Sequence, residues 1–401
     1  MSNKFKPPAR ASEIRYVIRE ITLEAEKYEK TRGEKTISLN IGDPCKYDFS
    51  PPQHIVDAYI EALRSGKHYY SDSRGEYELR EAVVEYEKRK NGLSLSPDDV
   101  LITQGAAEAV NVILAAAFEP GDKLLVPSPT YPPYITAARF FGVEAAEYMC
   151  LENEDWIPDI DHMRRLIDSK TKAILVINPN NPTGAVYTPK IIRNIIDLAG
   201  EYNLYVISDE IYDLIVFDGQ RKAPNTASLA KDVPVITIYS LSKAYLATGW
   251  RVGYMYKYDP NNLLDDLWAV FTRFLMTRLS ANTPAQYAAK AALLGPQDNI
   301  KIVVDKLERR RDLVYRRFNE IDEIEARKPK GAFYIFPKIN LNIDDNEFCK
   351  KLLWNTGIVV PPGSGFGSFG KQHFRVVFLP PEHILNEALD RIERFMKEIA
   401  K

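Results

Sequence analysis

Residues 173–213, "AILVINPNNPTGAVYTPKIIRNIIDLAGEYNLYVISDEIYD", open and close on short apolar runs, AILVI (173–177) and LYVI (204–207). Neither run alternates apolar with polar residues, so each reads as a strand buried on both faces. With a helical pattern between them, the stretch is one strand–helix–strand unit. The rhythm repeats from about residue 50 to 295, where VLIT (100–103), KLLV (123–126), VITIY (235–239) and VGYM (252–255) are further strands. Such alternation predicts an α/β fold, a mainly parallel sheet with crossover helices. One helix is "EYELREAVVEYEKRKNGL" (76–93), with Leu79, Val83 and Tyr86 on a shared face and Gly92 just past its end.

Outside this region, the first 47 residues hold a charged helical segment (roughly 12–30), the strand TISLNI (36–41) and the turn GDPCKYD (42–48). They are too short for an independent domain. A long helix at about 296–320 leads into a second α/β segment, with GAFYIFPKI (331–339) and FRVVFL (374–379) as strands.

The 53 basic and 55 acidic residues of the 401 nearly cancel, and no basic tract points to nucleic acid or a membrane surface. Cys45, Cys150 and Cys349 are far apart, which excludes a local zinc site and suits a reducing compartment. No eighteen apolar residues run together, and "MSNKFKPPARASE" lacks the apolar core of a signal peptide. The expectation is a soluble, cytoplasmic protein without a metal.

In open α/β sheets ligands bind beyond the carboxyl ends of the strands, so the residues just past each strand carry the functional reading. After VLIT comes QGAAEAV (104–110). Gly105, Ala106 and Ala107 open a helix there, as an ordinary tight turn or as an anion cradle of free amides. After KLLV comes PSPTYPPY (127–134), where Tyr131 either packs or presents a flat ring. After AILVI comes NPNNPTG (178–184), a turn in which the Asn181 amide can donate a hydrogen bond. After LYVI comes SDEIYD (208–213). Asp209, leaving an apolar strand, either caps a following helix or pairs with a buried cation. Tyr212, about one helical turn later, can reach the same ligand. After VITIY, "SLSKAYLATGWR" (240–251) supplies the Ser240 and Ser242 hydroxyls, the Lys243 amine and the Arg251 guanidinium, a planar donor suited to phosphate.

Five strand ends thus deliver an anion cradle, a ring platform, an amide, an acid, a phenol and an amine to one edge. The small molecule that needs all of them is pyridoxal 5′-phosphate. Small neighbours and nearby positive charge suit Lys243 to be a nucleophile with a lowered pKa.

The motifs "YYSDSRGEYELREAV" (69–83), "NPNNPTG", "SDEIYD" and "SLSKAYLATGWRVGY" (240–254) occur in the order found in class I aminotransferases. From "LNIGDP" to "FRVVFLPP" the chain resembles that family, of the fold-type I pyridoxal-phosphate superfamily. The resemblance implies a large domain (48–295) with a mainly parallel seven-stranded sheet, to which the six apolar runs belong, and a small domain from both chain ends (1–47 and 296–401). It implies that Lys243 binds the cofactor aldehyde and shuttles the proton. Asp209 would hold the ring nitrogen protonated, Asn181 and Tyr212 would bond the phenolic oxygen, and Tyr131 would stack on the ring. Ser240, Arg251 and the backbone of Ala106 and Ala107 would hold the phosphate.

Tyr70 would reach the phosphate of a neighbouring subunit, implying a homodimer with shared sites. Arg375, which read alone suits an exposed edge strand, would clamp the substrate α-carboxylate with help from the backbone of Gly42. The implied reaction is ping-pong transfer of an amino group between an amino acid and a 2-oxo acid. The texture is closest to the alanine aminotransferase branch, with 2-oxoglutarate as acceptor; aspartate or broad specificity is the alternative. Arg273 and Arg278, in "FTRFLMTRLSANTPAQ" (271–286), are either readers of a side-chain carboxylate or surface residues. Two other classes use the scaffold: pyridoxal-phosphate lyases, and regulators that carry a DNA-binding module, for which 47 residues without a basic helix-turn-helix are not expected to suffice.

Overall fold

The structure is a computed structural model and describes residues 5–14 and 17–400. Its centre is an eight-stranded sheet. In chain order the strands are β1 (Val100–Thr103), β2 (Lys123–Ser128), β3 (Glu144–Leu151), β4 (Ile157–Pro158), β5 (Thr171–Ile177), β6 (Tyr205–Asp209), β7 (Val235–Ser240) and β8 (Gly253–Tyr258). The spatial order is β1-β8-β7-β6-β5-β2-β3-β4. β3, β2, β5, β6 and β7 run parallel, while β8 is antiparallel to both its neighbours and β4 to β3.

The continuous apolar runs are explained by helices on both faces. Successive residues of β5 go to opposite cores: Ile174 and Val176 pack in one apolar cluster, Ala173, Leu175 and Ile177 in another. The strand left unread is β3. Its sequence EAAEYMCL buries Ala146, Tyr148 and Cys150 while Ala145, Glu147 and Met149 are half-buried, so it carries alternation rather than a solid apolar run. β4, two residues long, adds an eighth strand to the seven expected.

The helix read at 76–93 spans Tyr77–Asn91 and ends at Gly92, whose φ of 72° is the left-handed geometry a helix terminator adopts without steric cost. Leu79, Val83 and Tyr86 are buried on one face of it. The helix expected near 12–30 spans Val17–Arg32; residues 15 and 16 lie outside the described ones. Ile37–Ser38 pairs in parallel with Ile358–Val359, which brings the two chain ends together. The strand expected across 331–339 is two short pieces, Tyr334–Ile335 and Lys338–Ile339, split at Pro337, whose nitrogen donates no ladder bond. Of FRVVFL only Val376–Val377 is strand, pairing antiparallel with Tyr334–Ile335. The helix Asp298–Phe318 joins this part to the sheet.

Candidate active site

The parallel strands and β1 end at one edge, and register aligns those ends. Asp209 sits beside Ile177 of β5 and Ile238 of β7. β8 runs the other way, so its start lies where its neighbours finish: Gly253 is paired with Ser240 on one side and Thr103 on the other. This is why Arg251, ahead of an antiparallel strand, reaches the same edge as residues that come after strands. The approach is close. A Cβ on Gly253 would come within 2.6 Å of the Tyr239 carbonyl oxygen and 3.1 Å of Gly105 Cα, and one on Gly105 (φ +74°) within 2.6 Å of the Arg251 guanidinium.

Above this edge opens a cavity of about 390 Å³. Gly42, Ala106, Ala107, Tyr131, Asn181, Asp209, Tyr212, Ser240, Ser242, Lys243, Arg251 and Arg375 all line it. Gly105 lies just behind, as the residue preceding the helix Ala106–Ala116. Tyr70 is not brought to this cavity: it is 77% exposed and is not among the residues that line the chain's own site. Arg273 and Arg278 also stay outside. Arg273 is exposed on the helix Asp265–Met276, and Arg278 pairs with Glu108 at 2.8 Å and donates to the Ile102 carbonyl oxygen.

One end of the cavity is built for an anion. At the start of Ala106–Ala116 the amides of Ala106 and Ala107 precede the first helical hydrogen bonds, since Glu108 is the first to donate back, to the Gly105 carbonyl oxygen at 3.2 Å. Beside it, Ser240 Oγ lies 2.9 Å from Ser242 Oγ, and Arg251 is anchored by donating to the carbonyl oxygens of Thr248 (2.9 Å) and Gln104 (3.3 Å).

Lys243 Nζ donates to the Gly42 carbonyl oxygen at 2.8 Å and lies 5.6 Å from the Phe333 ring centre and 6.0 Å from that of Tyr212. Burial among these groups pushes its amine down to about 8, with the charges of Arg375 and Arg251 adding to the effect. A reactive fraction of free amine is therefore present near neutral pH.

Asp209 is buried and caps no helix; residues 211–214 form turns. Its Oδ1 accepts the Ile211 amide at 3.2 Å and its Oδ2 accepts the Tyr134 hydroxyl at 2.8 Å. Among the described residues no cation lies within ion-pair distance of it. Burial pushes its carboxyl up to about 6, and a cationic group brought beside it in the cavity would favour its ionised form further.

Arg375, read alone as an exposed edge arginine, is 1% exposed. The turn NPNNPTG holds itself together, with Asn180 Oδ1 accepting from Thr183 and Asn178 Oδ1 from the Tyr187 amide. This leaves Asn181 to face the cavity, its Oδ1 accepting from Arg375 Nη1 at 3.0 Å. Arg375 Nη2 donates to the Asn40 carbonyl oxygen, and the guanidinium lies 4.5 Å from the Tyr334 ring centre and 4.9 Å from that of Phe366. No carboxylate pairs with it among the described residues, and its Nε has no hydrogen-bond partner. A buried guanidinium without an anion costs several kcal/mol unless a ligand supplies the charge.

Two site residues escaped the reading of the sequence. Tyr134 stands in PSPTYPPY three residues after Tyr131, one helical turn away, a spacing that could have flagged it. Tyr334, in GAFYIF, shares a 2.7 Å hydrogen bond with the Tyr212 hydroxyl, and its own hydroxyl lies 2.2 Å from where a Cβ on Gly42 would sit. Nothing local marks Tyr334, since it arrives from a distant strand.

An amine of lowered basicity, an acid awaiting a cation, an anion cradle and an unpaired guanidinium thus share one cavity. They suit a flat aldehyde with a ring base and an anionic tail, and a substrate bearing a carboxylate. Comparison with known proteins agrees. Residues 34–392 match the family described as aminotransferase class I and II. The glutamate–pyruvate aminotransferase AlaA of Haemophilus influenzae is 36% identical over 372 residues, 91% of this chain and 92% of that protein. An alanine aminotransferase of Mycobacterium bovis is 34% identical over 399 residues, 98% of this chain and 92% of that one. The solved alanine aminotransferase from Pyrococcus furiosus superposes with a TM-score of 0.96 at 51% identity, covering 98% of this chain and all of the other. The chain belongs to the class I and II aminotransferases and is a transaminase.

Proposed function

We propose that the protein transfers the amino group between alanine and 2-oxoglutarate, with pyridoxal 5′-phosphate held in the cavity. The observation that carries this reading is the buried, unpaired Arg375 facing the same cavity as the Lys243 amine, a receptor for an α-carboxylate beside a base of lowered pKa. The preference for alanine rests on the names of the relatives.

The residues fit the cofactor one by one. Ala106, Ala107, Ser240, Ser242 and Arg251, with Gly105 giving them room, would hold the phosphate. Asp209 would face the ring nitrogen, Asn181 and Tyr212 the phenolic oxygen, and Tyr131 one face of the ring. When bound, pyridoxal phosphate supplies an aldehyde for the substrate nitrogen and a ring that accepts the electron pair left at Cα. Lys243, unprotonated in part near pH 8, would take the proton from the substrate Cα, and the Gly42 carbonyl oxygen directs its amine. Arg375 would fix the α-carboxylate bidentately and so orient the Cα–H bond toward Lys243.

The test is a half-reaction panel. Protein loaded with pyridoxal phosphate is given one amino acid at a time while its yellow absorbance is monitored. Alanine and glutamate should bleach it fastest, each releasing one equivalent of 2-oxo acid. Faster bleaching by aspartate would overturn the alanine assignment, and release of ammonia in place of transfer would indicate a lyase.

The reading extends to assembly. Ile60, Leu63, Tyr70, Met276 and Leu279 are exposed apolar side chains, and Ser73 Oγ donates to the Leu279 carbonyl oxygen at 2.5 Å, which ties the segment just after Tyr70 to Leu279. A homodimer in which Tyr70 serves the partner's phosphate site accounts for a tyrosine so exposed. Sedimentation should give a dimer, and Tyr70→Phe should loosen pyridoxal phosphate by about tenfold, the worth of one hydrogen bond to an anion. A monomer with full cofactor affinity would refute the shared site.

The same reading divides the chain into a cofactor domain (48–295) and a small domain (1–47 with 296–401). The pairing of Ile37–Ser38 with Ile358–Val359 supports it, as does an apolar cluster built largely from residues 303–396. Among the described residues no helix is long and apolar enough to cross a membrane. With three unpaired cysteines, this supports placing the protein in the cytoplasm.

A further inference from the structure

We propose that Tyr134 is a positioning residue of the reaction: its phenol holds the Asp209 carboxylate as an anion aimed into the cavity, and so sets how firmly that anion can bind a protonated ring nitrogen. This deepens the proposed function and rests on it.

The contact is closed to solvent. Tyr134 is 2% exposed and Asp209 3%, and the hydroxyl lies 2.8 Å from Oδ2. An ionised carboxylate only accepts, so the phenol must donate. Tyr134 keeps its proton, because burial and the adjacent carboxylate push its ionisation well above the ordinary range. The second donor to Asp209, the Ile211 amide at 3.2 Å, is fixed by the turn and cannot compensate for a lost phenol.

The position along the chain adds to the argument. Pro132 and Pro133 begin the helix Pro132–Phe140, so Tyr131 and Tyr134 stand one turn apart, with ring centres separated by 6.4 Å and planes at 76°. Tyr131 lines the cavity and Tyr134 reaches beneath it to the acid. A single hydrogen bond therefore ties the ring platform and the ring acid, which arise from different strand ends, into one unit.

The electrostatics give the sign. Burial raises the Asp209 carboxyl, while the bonds from Tyr134 and Ile211 and the charge of Lys243 lower it. Tyr134 itself faces Asp209 and Tyr131. Removing the phenol proton takes away a stabiliser of the anion without removing the burial, so Asp209 should become a weaker acid.

The test observes Asp209 directly. In full-length cofactor-free protein carrying 13C-labelled aspartate carboxyls, the Asp209 resonance is assigned by its loss in Asp209→Asn and titrated. Tyr134→Phe should raise its midpoint by about one pH unit, the scale of one hydrogen bond to a charge. Placing 3-fluorotyrosine at 134, a more acidic phenol of nearly the same volume, should lower it. A residue that merely fills space would leave the titration where it was in both proteins, and that result overturns the proposal. If Tyr134→Phe does not fold, the 3-fluorotyrosine protein decides alone by the same criterion.

Equilibrium dialysis with pyridoxal phosphate supplies the second arm. Tyr134→Phe should weaken binding by about tenfold in the wild-type background and leave it nearly unchanged in the Asp209→Asn background, because the phenol acts through that carboxylate. Equal losses in both backgrounds would overturn the proposal. Wild-type protein that takes up no pyridoxal phosphate would refute the cofactor reading and this role together, whereas an unmoved Asp209 titration refutes the role alone.

Discussion

Lys243→Ala is expected to lower transamination by about four orders of magnitude, the upper end of what a positioned proton-transfer group contributes, and to abolish covalent attachment of pyridoxal phosphate. Nothing else in the cavity can take over. Lys46 also lines it, but as an exposed side chain. Borohydride treatment and then mass spectrometry check the attachment: the wild type should gain the mass of the cofactor on the peptide holding residue 243, and the variant should gain none. A variant that still carried the cofactor covalently would remove Lys243 from the centre of the reaction.

The same substitution has a consequence for stability, with a definite sign. Folding pushes the amine down to about 8 from the ordinary lysine value of about 10.4. Between those values the unfolded chain holds more proton at this site than the folded one, so stability rises with pH there. Below about 8 both states are protonated and the full cost of burying the charge is present. Denaturant unfolding of the cofactor-free proteins should therefore show the wild type gaining on Lys243→Ala between about pH 7.5 and about pH 10. A gap that stayed constant would mean that the amine is not desolvated.

Arg375→Ala is expected to reduce kcat/KM by about 100- to 1000-fold for every amino acid and 2-oxo acid alike, the usual loss when one partner of a buried, hydrogen-bonded charge pair is removed. All substrates share the α-carboxylate, so the loss should be uniform; a loss confined to one substrate would show Arg375 reading a side chain. Arg375→Lys should recover only part, because an ammonium lacks the planar fork that meets two carboxylate oxygens. In the cofactor-free protein the guanidinium has no anionic partner among the described residues, so Arg375→Ala should leave thermal stability unchanged or raise it. That separation of activity from stability distinguishes a substrate clamp from a structural arginine.

These two residues differ in how legible they were. Lys243 comes directly after a strand and stands among small and hydroxylic neighbours, so the segment itself announced a site. Arg375 sits in HFRVVF, where read alone it suits an exposed edge strand. Only the resemblance of the whole chain gave it a role, and only the fold buries it against Asn181, 194 residues away in sequence. Asp209 was legible as a carboxylate leaving an apolar strand, whereas the bond from Tyr134 to it was not: the one-turn spacing in PSPTYPPY ties Tyr134 to Tyr131, and the bond to the acid spans 75 residues. Arg278 was a candidate reader of substrate until the structure paired it with Glu108. The β3 strand was missed because one half-exposed face interrupts its apolar pattern.

The sequence by itself determined the local matters: which runs are strands buried on both faces, which residues come after each strand, and that an amine, an acid, a phenol and small residues gather at those ends. These rest on side-chain periodicity and on the rule that the loops of a parallel sheet share an edge, both of which act over a few residues. Tertiary structure alone decided which of those groups touch. The reversed direction of β8 sets Arg251 beside Gly105, the pairing of the two chain ends accompanies Gly42 to Lys243, and Tyr134 reaches Asp209 from beneath. The physical reason is that a hydrogen bond or an unpaired charge acts over a few ångströms of space, and distance along the chain carries no record of that space until the sheet is assembled.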